Sequence, residues 1–248
     1  MMEARFFTDV GQFREQNEDA GGIYTNQTGQ VLLVICDGMG GHAAGEVASQ
    51  FVNDSLKDRF EEENYIEYDH AEDWLKSNLA DINRQLYNES MNNEEFRGMG
   101  TTCVCIIVYE KDIVVANIGD SRAYLINSRE MMQLTNDHTF VNHLVTIGEI
   151  SKEEAFTHPQ RNIITKVMGT DKRVKPDVFY YNTKYYDYLL LNSDGLTDYL
   201  REDDVQQIIM THKGSTEDIG ETLIEETVEA EGKDNISLVL YPFEGGKI

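Results

Sequence analysis

The chain is poor in cysteine and proline and short of positive charge, and each shortage excludes something. Its three cysteines, Cys36, Cys103 and Cys105, lie in apolar strand-like runs and form no CxxC pair, so they are expected to be reduced, buried small hydrophobes of a cytoplasmic protein. With three prolines and no proline-rich, serine-rich or repetitive linker, nothing divides the 248 residues, and their 40% hydrophobic content suffices for one sizeable core. A single domain over 1–248 is expected. The 21 basic residues face 45 acidic ones, and the net charge of -24 disfavours nucleic acid and anionic membrane surfaces as partners. No long apolar run is present, and Met1 to Phe7 has neither the basic nor the apolar region of a signal peptide, so no membrane insertion is expected.

What the chain does have is aspartate at the ends of strand-forming runs. Val31 to Cys36 runs into Asp37-Gly38, Ile113 to Ile118 into Gly119-Asp120, and Leu189 to Ser193 into Asp194-Gly195, while Asp234-Asn235 precedes Ile236 to Tyr241. In an antiparallel sheet the start of that last run lies at the same edge as the ends of its neighbours, so all four carboxylates can converge on one rim. Carboxylates held that close repel and raise one another's pKa unless a cation neutralises them, which implies a divalent metal site.

The apolar spacing of Val47, Phe51, Val52, Leu56 and Phe60, then of Leu75, Leu79, Ile82 and Leu86, predicts two amphipathic helices, over 43–61 and 71–90. Three β-rich runs follow, 101–109, 113–118 and 122–126, and are expected as an antiparallel meander. The stretch 135–170 is mixed in character, with Ser151 as a helix cap, and is expected as a helical, flap-like insertion. A strand over 185–192, helices near 203–210 and 215–230, and a last strand from Asn235 complete the order. That order suits α+β layers better than a parallel βαβ array.

Arg14-Glu15-Gln16-Asn17-Glu18-Asp19 sets an anion binder four residues before an acid. Arginine binds phosphate bidentately, with a structural salt bridge as the competing reading. Asp37-Gly38-Met39-Gly40-Gly41-His42 places three glycines in four positions, which brings backbone close to a ligand and frees the Gly38 carbonyl for a cation. No GxxxxGK[ST] and no GxSxG surrounds these residues, which argues against a nucleotide P-loop and a serine hydrolase. His138 and His143 lack an HExxH frame and are expected as flap structure. Asp198 either reaches the site of Asp194 or caps a helix starting near Leu200, Arg122 braces Asp120, and Arg161 and Lys166 either meet a phosphorylated protein or are solvated. A binding module without turnover and a plain divalent-ion binder are the rivals. All four carboxylates are present, which speaks against the first, and the second leaves Arg14 and the glycine turn unexplained.

R-x-x-N-E-D at 14–19, D-G-M-G-G-H at 37–42, G-x-G-T-T at 98–102, G-D-S-R at 119–122, S-D-G-L-T-D at 193–198 and K-D-N at 233–235 occur in that order. In these motifs the chain resembles the metal-dependent PPM (type 2C) protein phosphatases, and most of all their branch in Gram-positive cocci. The resemblance implies a four-layer α-β-β-α sandwich of two antiparallel sheets flanked by helices. It implies hydrolysis of phosphoserine and phosphothreonine in proteins by attack of a metal-bridged water, counteracting a PASTA-type serine/threonine kinase.

It also implies roles. Asp37 bridges two ions, Mn2+ or Mg2+, the Gly38 carbonyl helps hold the second, Asp194 and Asp234 complete the first, and Glu18 acts through bound water. Asp120 shares a third, weakly held ion with Asp194, and Arg14 receives the substrate phosphate. His42 is the candidate general acid, although the eukaryotic branch's histidine directly follows Asp-Gly, where Met39 stands here. A helix-start histidine packed for structure is the alternative.

Overall fold

In a computed structural model, residues 3–40 and 44–243 are described. In chain order the strands and helices are β1 Arg5–Asp9, β2 Asp19–Thr25, β3 Val31–Met39, α1 Ala44–Glu61, α2 Ala71–Asn92, β4 Gly100–Thr101, β5 Cys103–Val108, β6 Asp112–Ile118, β7 Arg122–Ile126 and β8 Met131–Gln133. The insertion contributes α3 Phe140–Thr146 and α4 Lys152–Phe156; then come β9 Asp177–Asn182, β10 Tyr188–Asn192, α5 Asp194–Thr197, α6 Glu202–Thr211, α7 Thr216–Glu229 and β11 Ile236–Pro242.

The strands form two antiparallel sheets, β1-β11-β10-β7-β8 and β2-β3-β5-β6-β9, with β4 added beside β3. Period-two side-chain direction explains why the central strands are apolar throughout: each is covered on both faces. Leu32, Val34 and Cys36 of β3 pack under α1 and α2, against Val52, Leu56, Leu75 and Leu79. Leu33 and Ile35, one residue out of phase, meet Leu189, Leu191 and Val239 of the other sheet. Leu190, Leu238 and Leu240 face outward again, onto Val205, Ile209, Ile219 and Leu223 of α6 and α7. The result is the expected α-β-β-α sandwich. Among the described residues no helix is long and apolar enough to cross a membrane, and Cys36, Cys103 and Cys105 are free and buried.

Three local expectations need correction. The runs at 101–126 are not one meander: β5 and β6 pair, but the chain then crosses at Gly119-Asp120 and β7 pairs with β10 and β8 in the other sheet. Both runs are apolar on both faces, so alternation carries no sign of the crossing. The strand expected over 185–192 begins at Tyr188, and the insertion is followed by an additional edge strand, β9. Asp198 does not cap a helix near Leu200; it closes α5, and α6 starts after Arg201. Ser151 does cap α4, in a reciprocal pairing with Glu154.

Candidate active site

The two sheets deliver their acidic ends to a common recess. Asp37 comes from β3 of one sheet, Asp194 follows β10 and Asp234 precedes β11 of the other, and Asp120 lies in the crossing between them. Asp37 is also the register partner of Asp19 on β2. The convergence shows in the acidity of these groups: burial pushes the Asp37 carboxyl well up, and Asp19, Asp194, Asp120 and Asp234 push it further. Burial likewise raises Asp194, helped by Asp120, Asp198 and Asp234. Asp120 is pushed up to about 7, by burial first and then by Asp137, against the pull of Arg122. The residue is only 5% exposed, and Oδ1 finds no hydrogen-bond partner.

Local hydrogen bonds hold the recess open to ligands. Asn235 is the pin: its Oδ1 accepts the Glu18 N–H at 2.9 Å and its Nδ2 donates to the carbonyls of Val10 and Gln16 at 2.9 and 3.0 Å. The arginine-bearing loop is thereby fixed beside Asp234. Arg14 donates to Asp234 Oδ2 at 2.8 Å and to the Lys233 carbonyl at 3.2 Å, with Glu18 Oε2 4.0 Å away. Burial raises the Glu18 carboxyl, and the Arg14 guanidinium offsets part of that rise. Gly38 donates its N–H to the Glu18 carbonyl at 3.1 Å, so the 18–19 and 37–38 segments are tied together. Asp37 donates its own N–H to Thr102 Oγ1 at 2.9 Å.

Such a recess fits hard divalent cations, whose ligands are oxygen and which keep several waters. Among the described residues no three carboxylate, imidazole or thiol groups already stand close enough to enclose an ion. The repulsion within the recess and the unbonded Asp120 oxygen are the physical signs that positive charge belongs there.

Matching against family models finds protein phosphatase 2C over residues 4–144. The chain belongs to the protein phosphatase 2C family. It is 38% identical over 240 residues to the serine/threonine phosphatase stp of Listeria welshimeri, covering 96% of this chain and 95% of that one. It superposes on the crystal structure of the serine/threonine phosphatase Stp1 from Staphylococcus aureus with a TM-score of 0.95 and 60% identity, over 99% of this chain and 96% of that one. A further match, at a TM-score of 0.83 and 30% identity over 97% of each chain, is the catalytic domain of the phosphatase PstP in complex with 2 manganese ions. This chain is a serine/threonine protein phosphatase of that metal-dependent family.

In this phosphatase, Arg14, Glu18, Asp37, Gly38, Asp120, Asp194 and Asp234 are thus brought to one recess, while His42 lies outside the described residues. The salt-bridge reading of Arg14 has a literal counterpart, since its guanidinium already pairs with Asp234. Arg122 does not brace Asp120 directly; it grips Asp137 through Nε and Nη2 at 2.9 and 2.6 Å. Lys166 is taken up inside the molecule, on Asp177 at 2.8 Å. Arg161 reaches Asp198 at 3.6 Å and stacks over Phe156, which Arg201 covers from the body of the molecule. A cleft of about 500 Å³ runs from Asp120 and Asp194 outward beneath the insertion to Phe156 and Arg161.

Sequence reasoning passed over two residues of the recess. Asp19 accepts the Ser193 hydroxyl at 2.8 Å and is pushed up to about 6, mainly by burial. Its signal was its place next to Glu18 in the R-x-x-N-E-D run. Asn235 is the other, a pin whose role no local pattern discloses because its partners lie more than two hundred residues upstream.

Proposed function

We propose that the convergent carboxylates are the metal centre of this phosphatase. Asp37 would bridge two divalent cations, Mn2+ or Mg2+, with the Gly38 carbonyl on one and Asp194 and Asp234 on the other; Asp120 with Asp194 would hold a third. The observation that carries this reading is the mutual repulsion of these carboxylates in one recess, with a buried Asp120 oxygen left unbonded. PstP, with its 2 manganese ions, supports the choice of cation. When bound, paired divalent cations supply hydroxide from water at neutral pH and neutralise charge on a phosphoryl group.

The chain's own residues orient and bind. Arg14 stands at the rim with a two-nitrogen fork suited to phosphate oxygens, and would strengthen its grip as charge develops on them. Glu18 would hold the guanidinium in place and order water at the rim. Ser121 and Ser193 are fully buried, so neither hydroxyl is open to a phosphoryl group and transfer direct to water is favoured. His42 is assigned proton donation to the leaving alkoxide, on the ground that it follows the glycine turn beside Asp37.

Within the same proposal, residues 1–248 act as one domain, with 135–170 as a flap over the substrate cleft. A serine/threonine kinase of the PASTA type is the functional counterpart, and the unpaired thiols favour the cytoplasm. The test is hydrolysis of a phosphothreonine peptide with Mn2+, with chelator, and in Asp37→Ala and Asp194→Asn variants. Loss of turnover with chelator and in both variants supports the centre. Full activity in chelator, or in both variants, overturns it.

A further inference from the structure

His138 stands where the insertion passes the Gly119-Asp120 crossing, and each of its polar groups is used there. Its backbone N–H donates to the Gly119 carbonyl at 3.0 Å, and its ring Nδ1 accepts the Gly119 N–H at 2.9 Å, so one residue grips both polar groups of one glycine. Its carbonyl accepts the Thr165 N–H at 2.7 Å, from the returning arm of the insertion. Its Nε2 lies 3.2 Å from Asp177 Oδ2 and 3.3 Å from Lys166 Nζ, and the Lys166 ammonium bonds the other oxygen of Asp177 at 2.8 Å.

Hydrogen-bond chemistry sets the tautomer. A backbone N–H only donates, so Nδ1 is bare and the ring proton sits on Nε2, given to Asp177. The grip matters because the turn has nowhere else to go: Gly119 has a φ of 106°, and a Cβ there would lie 2.6 Å from Thr102 Cβ. Thr102 is also the residue whose hydroxyl holds the Asp37 N–H. The crossing is therefore clamped by His138 on one side and backed on the other by the support of Asp37. What it delivers to the recess is Asp120, with its unbonded Oδ1.

We propose that His138, oriented by Asp177 and Lys166, is a positioning residue that aims the Asp120 carboxylate at the cation rim and ties the root of the insertion to it. The inference rests on the proposed ligand role of Asp120. Groups that orient a ligand from outside the coordination sphere tune a metal site, and removing such a partner typically weakens the metal about 10–100-fold.

Two measurements on the full chain decide it. In nitrogen-resolved imidazole spectra of the metal-free protein, His138 should carry its proton on Nε2, and Asp177→Asn should shift that resonance. In calorimetric Mn2+ titrations, Asp120→Asn should remove the weakest class of ions. His138→Ala should weaken that same class by about tenfold and leave tighter classes within about twofold, whereas His138→Asn, whose amide oxygen can take the place of Nδ1, should stay within about threefold of the parent. An Nδ1-protonated ring, equal losses in the Ala and Asn variants, or weakening of all classes together overturns the positioning role. If Asp120→Asn weakens binding and His138→Ala does not, the positioning role alone fails; if Asp120→Asn changes no class, the ligand reading fails and takes this inference with it. Should His138→Ala not fold, the imidazole spectrum of the unsubstituted chain and the Mn2+ titration of the Asn variant still separate these outcomes.

Discussion

Gly195 lies so close to the Asn235 carbonyl that a Cβ would fall inside that oxygen. The contact brings the start of α5 against the start of β11, which is how Asp194 and Asp234 come to share a recess although they stand forty positions apart in the chain. Gly195→Ala must push the two apart. Overpacking of this kind costs about 1–3 kcal/mol. Chemical denaturation should show that loss together with weaker Mn2+ binding, and a variant within about 0.5 kcal/mol of the parent would count against the close approach.

Arg14 pairs with Asp234 Oδ2, on the carboxylate that the proposed metal centre would also use. Because the ion pair is half-exposed, Arg14→Ala should change stability by less than about 1 kcal/mol. It should raise KM for a phosphopeptide while Mn2+ affinity holds or improves. Unchanged KM would remove Arg14 from phosphate binding.

Asp137 holds Arg122 through two nitrogens and takes a further bond from Gln133 at 2.7 Å. Asp137→Ala strands a largely buried guanidinium, at a cost near the low end of the usual range, about 3 kcal/mol. Replacing both partners, as Arg122→Met with Asp137→Leu, should recover most of it. Thermal unfolding of Arg122→Met, Asp137→Leu and the double variant would show whether the pair is coupled; a double loss equal to the sum of the two single losses would mean it is not.

Phe156 lies under Arg201 and Arg161, with guanidinium-to-ring distances of 5.3 and 5.9 Å. Arg201→Ala removes the one of these two that belongs to the body of the molecule, a contact worth about 0.5–1 kcal/mol. Amide exchange in α4 should quicken roughly two- to fivefold with the global melting temperature unchanged. Unaltered exchange would show that Arg201 does not hold the insertion down.

Metal-free protein should respond to pH in an unusual direction. Asp19 is pushed up to about 6 and Asp120 to about 7, both chiefly by burial, and Asp37 and Asp194 rise as well. Native carboxyls with raised pKa keep protons that the unfolded chain releases near pH 4, so their contribution to stability is greatest in acid and is lost as pH climbs through 6 and 7. Scanning calorimetry without metal should show the melting temperature falling from pH 5.5 to 7.5, and Mn2+ raising it more at 7.5. A flat or rising metal-free curve would argue against the crowding of carboxylates.

Much of this architecture is written locally. The Val47-to-Phe60 stripe has the spacing of a helix's buried face, and Val31 to Cys36 reads as a strand covered on both sides, as α1 and β3 prove to be. The crossing at Gly119-Asp120 was invisible for the same reason. β6 and β7 are buried on both faces, so nothing in their alternation reports which sheet each joins. β2 was missed because Gly21 and Gly22 dilute its strand character.

By itself, then, the sequence determined which residue types stand at the strand ends, how acidic the chain is, and the family that six ordered motifs express. Tertiary structure alone decided who meets whom: Asp19 beside Asp37, Arg14 on Asp234, Arg161 on Asp198, and the clamp of His138 on Gly119. The division has a physical cause. Side-chain periodicity records which face is apolar within a few residues, whereas carboxylate repulsion and hydrogen-bond partnership depend on distances set only when two sheets close over a common core.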